Sequence, residues 1–223
     1  MGVKLNNETL NEYICRMGYK STNILKDRVD FHIHTSKSDG EEDLMTVVNS
    51  AANQRMKAIA ITEHNCFNIT HTWLYKNMYI IPGCEFSCNY KKSDTKEDVE
   101  VHVIGLFPNG VEPYAFQDIC TIKNKEEYIN AVLKFLKNKG MNISLDEVKQ
   151  QMKNNSSHLG RKHIAEVMVK KGYVQNKTEA LDKYIGNYSP YFINPIPFLN
   201  YCNMEEVVRR ISLNGGIPVL AYL

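Results

Sequence analysis

The stretch Asp30-Phe31-His32-Ile33-His34-Thr35-Ser36-Lys37-Ser38-Asp39-Gly40 decides how the rest of the chain is read. Its first residues have the apolar alternation of a β-strand, which sends Asp30, His32 and His34 to one side and Val29, Phe31 and Ile33 to the other. Two imidazoles at i and i+2 near a strand end are costly to desolvate unless a partner binds them, and a divalent metal is such a partner. The Ser-Asp-Gly turn that follows can swing the Asp39 carboxylate back toward the same ion. The stretch therefore reads as half of a metal site.

Further candidates lie on later strand-like runs. Ala58 to Thr62 is a short apolar run of the kind found in buried parallel strands, with Glu63 and His64 at its end. Tyr79 to Ile81 leads through Gly83 and Cys84 to Glu85, read as a third strand ending in a carboxylate. Val99 to Leu106 is a fourth strand, with Glu100, His102 and Ile104 on one face. Tyr90 to Asp98 reads as a solvated hairpin loop, and Thr70 to Lys76 as a helix or irregular connection. Histidine and carboxylate without thiolate suit zinc, manganese or iron, and about two or three such ions would polarise a phosphoryl group and acidify a water.

These segments resemble, in order, the motifs of the PHP (polymerase and histidinol phosphatase) family. Asp30 to Gly40 is similar to its Asp-x-His-x-His…Ser-Asp-Gly motif, and Thr62-Glu63-His64 to its Thr-Asp-His. Gly83-Cys84-Glu85 is similar to its Gly-x-Glu, and His102-Val103-Ile104-Gly105 to its His-x-x-Gly. Gly160-Arg161-Lys162-His163-Ile164-Ala165 resembles the Gly-Arg-Pro-His segment of the small nucleotide-phosphatase and exonuclease branch. The resemblance implies an α/β fold, a distorted (β/α)7 barrel with a helical insertion. It also implies a phosphoesterase that hydrolyses nucleotides or short oligonucleotides by a metal-bridging hydroxide. The implied ligands are His32, His34, Asp39, His64 and Glu85, with Glu85, Asp39 and His64 at the chemistry; His102 and His163 are candidates to complete a second metal's shell, or else plain hydrogen-bonded histidines. Arg161 and Lys162 are candidates for substrate phosphate, or equally a solvated pair at a helix start. Asp30 and Glu63 are expected behind the ligands, Asp30 bonding a ligand imidazole.

Three departures from the family pattern stand out. Glu63 replaces an aspartate, and Tyr222 follows Ala221 where relatives have histidine. The family's later Asp-x-His pair is absent, so the chain is expected to be a fragment or interrupted reading frame with an incomplete barrel. Two other readings follow: a catalytically weakened PHP module kept for binding or structure, and an amidohydrolase-type metal hydrolase.

The remaining sequence organises around this centre. Residues 1–27 read as a helical extension, 28–113 as the first part of the barrel, 114–193 as the helical insertion and 194–223 as the return to the barrel. Ile122, Ile129, Val132, Leu133 and Leu136 form a helical stripe ending at Gly140, and Ser144 to Glu147 carries a capping-box signature. The formal net charge of +2 over 223 residues gives no basis for stable duplex nucleic-acid binding. No signal peptide or membrane span is read, the six cysteines form no Cys-x-x-Cys pair, and a cytoplasmic enzyme is expected.

Overall fold

The computed structural model describes residues 28–152 and 159–222; the helical extension read over residues 1–27 lies outside them. Among the described residues, seven strands form one sheet. They are β1 (Val29–Ile33), β2 (Ala58–His64), β3 (Trp73–Tyr75), β4 (Met78–Lys91), β5 (Asp98–Leu106), β6 (Cys202–Asn203) and β7 (Ile217–Tyr222). The order is β1-β2-β4-β5-β7, with β3 and β6 each pairing along β4. Strand β4 is the spine: β2 runs parallel to its first half, β6 to its second, and β3 and β5 are antiparallel to it.

Two expectations about the strands are corrected. Thr70 to Lys76 contains not a helix but β3, joined to β4 by a two-residue turn, Lys76-Asn77, with φ of 48° and 63°. Both central residues left-handed is the type I′ hairpin geometry, which the sequence concealed because neither residue is glycine. Glu85 does not end its strand either; it lies within a 14-residue strand that continues to Lys91. Because β5 is antiparallel to both β4 and β7, the sheet is a mixed, partial barrel.

Helices α1 (Leu44–Asn53) and α7 (Met204–Leu213) cover the outer face of the sheet. Asp43 caps α1 by accepting a 2.9 Å bond from the Thr46 N–H, so the acidic run Glu41 to Asp43 precedes the helix and does not form its first turn. On the inner face, Ala58, Ala60, Ile81, Ile104 and Leu106 form an apolar floor. Gly83 lets the strands close here, since a Cβ would lie 2.7 Å from Thr62 Cγ2.

The intervening helices are α2 (Gln117–Cys120), α3 (Lys125–Asn138), α4 (Leu145–Lys149), α5 (Arg161–Lys170) and α6 (Lys177–Ala180). Of these, α3 to α6 build a core of their own around Ile129, Leu136, Ile164 and Met168, all fully buried, while Ile119 of α2 packs with the sheet. Gly140, at φ 81°, closes α3 in a Schellman motif: its N–H reaches Lys137 O at 3.0 Å and the Met141 N–H reaches Leu136 O at 3.0 Å. The Ser144–Glu147 capping box forms with both reciprocal bonds. Ile164 is wholly enclosed in this core, so Ile164→Ala is expected to lower unfolding free energy by about 2–5 kcal/mol, measured by urea denaturation.

Candidate metal centre

The inner face of each central strand changes character along its length. Strand β2 presents Ala58, Ala60, Thr62 and then His64; β4 presents Ile81, Gly83, Glu85 and Ser87; β5 presents Leu106, Ile104, His102 and Glu100. Since alternate residues share a face, the apolar floor gives way to ligating side chains at one end of the sheet. The parallel register sets His64 directly beside Glu85, and the antiparallel register sets His102 opposite Ser87, diagonal to Glu85.

Strand β1 departs from the simple alternation. Its pairing with β2 runs Val29 with Ala58, Asp30 with Ile59, then Ile33 with Ile61, so an extra residue is accommodated between. Phe31 packs on the inner floor while Ile33 packs on the outer cluster with α1. A bulge of this kind re-aims side chains, and here it turns His32 and His34 toward one acceptor.

That acceptor is Glu85, only 1% exposed. Its Oε2 lies 3.0 Å from His32 Nε2, 2.9 Å from His34 Nε2 and 3.4 Å from His64 Nδ1. Its Oε1 lies 2.9 Å from His102 Nδ1. Asp39 closes the other side, with Oδ1 3.3 Å from His34 Nδ1 and Oδ2 3.4 Å from His64 Nε2. Burial would raise the Glu85 pKa, but the bonds from His102, His32 and His34 override it and hold the group well below the usual carboxylate range. Burial likewise opposes charge on His102, yet Glu100 and Glu85 push its pKa up to about 9.

The turn bearing Asp39 is held by Glu63, which is fully buried. Its carboxylate accepts from the Thr35 N–H at 3.1 Å, the Ser38 hydroxyl at 2.5 Å and Asn68 Nδ2 at 3.0 Å, and also from the Thr35 hydroxyl. Ser38 Oγ in turn lies 3.4 Å from His34 Nδ1. Glutamate rather than aspartate at 63 thus serves a loop, and it reaches the ligand set through Ser38. Gly40 completes this turn: a Cβ would sit 2.4 Å from His34 O, and its N–H bonds Thr35 O at 2.9 Å. On the far side of His64, Asn65 adopts φ 50° and sends its N–H to Glu85 O at 2.9 Å. Its side chain exchanges two 3.0 Å bonds with Ser87.

Two candidates stand outside the convergent groups found among the described residues. His163 is absent from the convergent groups; its Nδ1 accepts the Gly160 N–H at 3.3 Å, at the start of α5. Asp30 accepts the backbone N–H of His32 at 3.1 Å and not a ligand imidazole. A local hydrogen bond satisfies each, a partner that residue spacing does not reveal. Arg161 and Lys162 do face the site across a cleft of about 430 Å³ that also reaches Asp39, His64 and His102. The Lys162 ammonium contacts Asp39 O, and Arg161 Nη1 donates to Asn187 Oδ1 at 2.6 Å.

The donor set suits divalent cations. Three overlapping triads have their ligating atoms within 4.8 Å of one another: His32, His34 and Glu85; His34, Asp39 and His64; His64, Glu85 and His102. Four imidazoles with neighbouring ring centroids 4.5–5.6 Å apart would repel if all were protonated, whereas as neutral rings they direct lone pairs into a shared space.

An incomplete α/β barrel carrying a histidine–carboxylate cluster at one end of its sheet defines a class of metal-site protein. The chain belongs to the PHP domain family, whose model matches residues 30–187. It is 25% identical over 201 residues to the 5'-3' exoribonuclease Rnm of Salmonella typhimurium, covering 86% of this chain and 64% of that protein. It is 22% identical over 199 residues to a 3',5'-nucleoside bisphosphate phosphatase of Chromobacterium violaceum, covering 87% and 66%. Two solved structures share the fold. A sulfate-bound, metal-free amidohydrolase from Chromobacterium violaceum has a TM-score of 0.65 at 21% identity, covering 86% of this chain and 65% of that one. A protein from Bifidobacterium adolescentis has a TM-score of 0.67 at 22% identity, covering 87% and 66%. The chain therefore spans just under two-thirds of the length of these relatives. Among the described residues, no helix is long and apolar enough to cross a membrane.

Because Glu63 satisfies several donors of the 35–38 turn at once, Glu63→Ala is expected to lower stability by about 1–3 kcal/mol in urea titration and to unseat Asp39.

Proposed function

We propose that this chain is a metal-dependent phosphoesterase acting on phosphate esters of nucleotides or short oligonucleotides. One observation carries the reading: His32, His34, His64 and His102 converge on the buried Glu85, with Asp39 beside them, at the mouth of a cleft bearing Arg161 and Lys162. The names of the relatives, an exoribonuclease and a nucleoside bisphosphate phosphatase, point to the same substrate class.

His32, His34, Asp39, His64, Glu85 and His102 are the residues that would hold the ions, His163 being left out. When bound, about two or three divalent ions, zinc, manganese or iron, would polarise the phosphoryl oxygens and lower the pKa of a water. The chain's own contribution is preorganisation. Glu85 is immobilised by burial and by its imidazole partners, and Asp39 by the Glu63-anchored turn. Lys162, beside Asp39, and Arg161, braced by Asn187, supply positive charge on the wall facing the cluster. A substrate phosphate lying between the two would be oriented from both sides, and its negative charge balanced as it reacts.

Phosphate release from a nucleoside 3',5'-bisphosphate in the presence of manganese is the direct assay. Turnover is expected to vanish with EDTA and return on adding metal. Glu85→Gln is expected to cost roughly a hundredfold or more, at least the loss reached by removing an outer partner of a metal ligand. Turnover that persists in EDTA would sink the reading.

A further inference from the structure

Glu100 stands outside the ligand cluster, yet three separate groups meet on its carboxylate. It lies two residues before His102 on the same face of β5, and its side chain is only 8% exposed. Oε1 lies 3.3 Å from His102 Nε2 and accepts a 2.7 Å hydrogen bond from the Tyr201 hydroxyl. Oε2 faces Arg161 Nη2 at 3.6 Å and accepts no hydrogen bond among the described residues. His102 belongs to the sheet, Arg161 begins α5, and Tyr201 immediately precedes β6. All four residues border the cleft directly, or lie on its wall, within the region that includes Asp39 and His64.

A carboxylate buried to this extent is costly, and an apolar side chain of similar volume would hold two layers together as well or better. Its chemistry explains its place. A neutral imidazole carries one ring proton, and the nitrogen that bears it offers no lone pair. The two nitrogens of His102 face two different carboxylates, Glu85 on one side and Glu100 on the other. A proton held toward Glu100 leaves the nitrogen facing Glu85 free to ligate; a proton on the other side blocks it.

We propose that Glu100 is a positioning residue: it holds the His102 proton on the nitrogen facing away from Glu85, and through the same carboxylate aligns Arg161 on the opposite wall. The inference rests on the metal-site reading above and extends it, since it makes ligand orientation on the sheet and phosphate recognition on the insertion depend on one group. Outer partners of metal-bound histidines act in this way generally.

The experiment is calorimetric titration of manganese into the metal-stripped chain, for the wild type, Glu100→Leu, Glu100→Gln and Tyr201→Phe. Glu100→Leu is expected to weaken manganese binding by roughly tenfold to a hundredfold. Glu100→Gln keeps an acceptor oxygen and falls between the two. Tyr201→Phe removes a hydrogen bond from the same network and lowers the melting temperature, but leaves metal affinity unchanged. In the zinc-loaded wild type, long-range proton–nitrogen NMR is expected to place the single His102 ring proton on the nitrogen facing Glu100, a signature lost in Glu100→Leu. If Glu100→Leu does not fold, Glu100→Gln carries the same comparison. Manganese affinity unchanged in the Glu100 variants, or reduced only in step with Tyr201→Phe, overturns the positioning role alone. A wild-type chain that takes up no manganese overturns the metal-site reading and this role with it.

Discussion

A buried carboxylate in contact with four imidazoles is the constraint on which this molecule turns. Glu85 cannot be left alone in the interior, because an unpaired buried charge is among the most expensive features a fold can contain. Its partners come from β1, β2 and β5, so satisfying it requires those strands to be in register with β4. The site and the sheet are thus one problem. Any slip of a single residue would turn the ligating side chains to the outer face and the apolar floor with them.

The layers around the sheet divide the labour. Outside, α1 and α7 bury the apolar residues of alternate parity, which gives the sheet its rigidity. Inside, the floor from Ala58 to Leu106 leaves the far end of the same strands to polar chemistry. The helical insertion has a separate core and contributes a cleft wall. It is tied to the sheet side by ionic contacts, Lys177 to Glu41 at 3.0 Å and Arg161 to Glu100 at 3.6 Å. The Lys177 pair lies at the surface and contributes little stability, whereas the Arg161 pair meets a buried carboxylate; both set where the wall stands.

Much of the centre was legible in the chain itself. Histidines two apart, a Ser-Asp-Gly turn and carboxylates at the ends of apolar runs are rare combinations, and their order along the chain matched the family whose model spans residues 30–187. His163 shows where such reading stops. A histidine near a helix start can bind a metal or accept a backbone N–H of its own helix, and no spacing rule separates the two. Glu63 shows it differently: its motif position suggested a place behind the ligands, and its bonds run to the 35–38 turn that leads to Asp39. The importance of Glu100 was half visible, as a Glu-x-His alternation on one strand face, while Tyr201 lies 101 residues away and gives no local signal.

By itself the amino-acid order determined most of the element types, the Ser144–Glu147 cap and the kinds of atom available to a cation, because periodicity, turn chemistry and side-chain identity are local properties. Only the tertiary structure decided which of those atoms meet. The bulge in β1 and the antiparallel pairing of β5 with β7 both depend on how strands pair over long separations. Pairing energy is shared across the whole sheet, so no short segment carries enough of it to announce its partner.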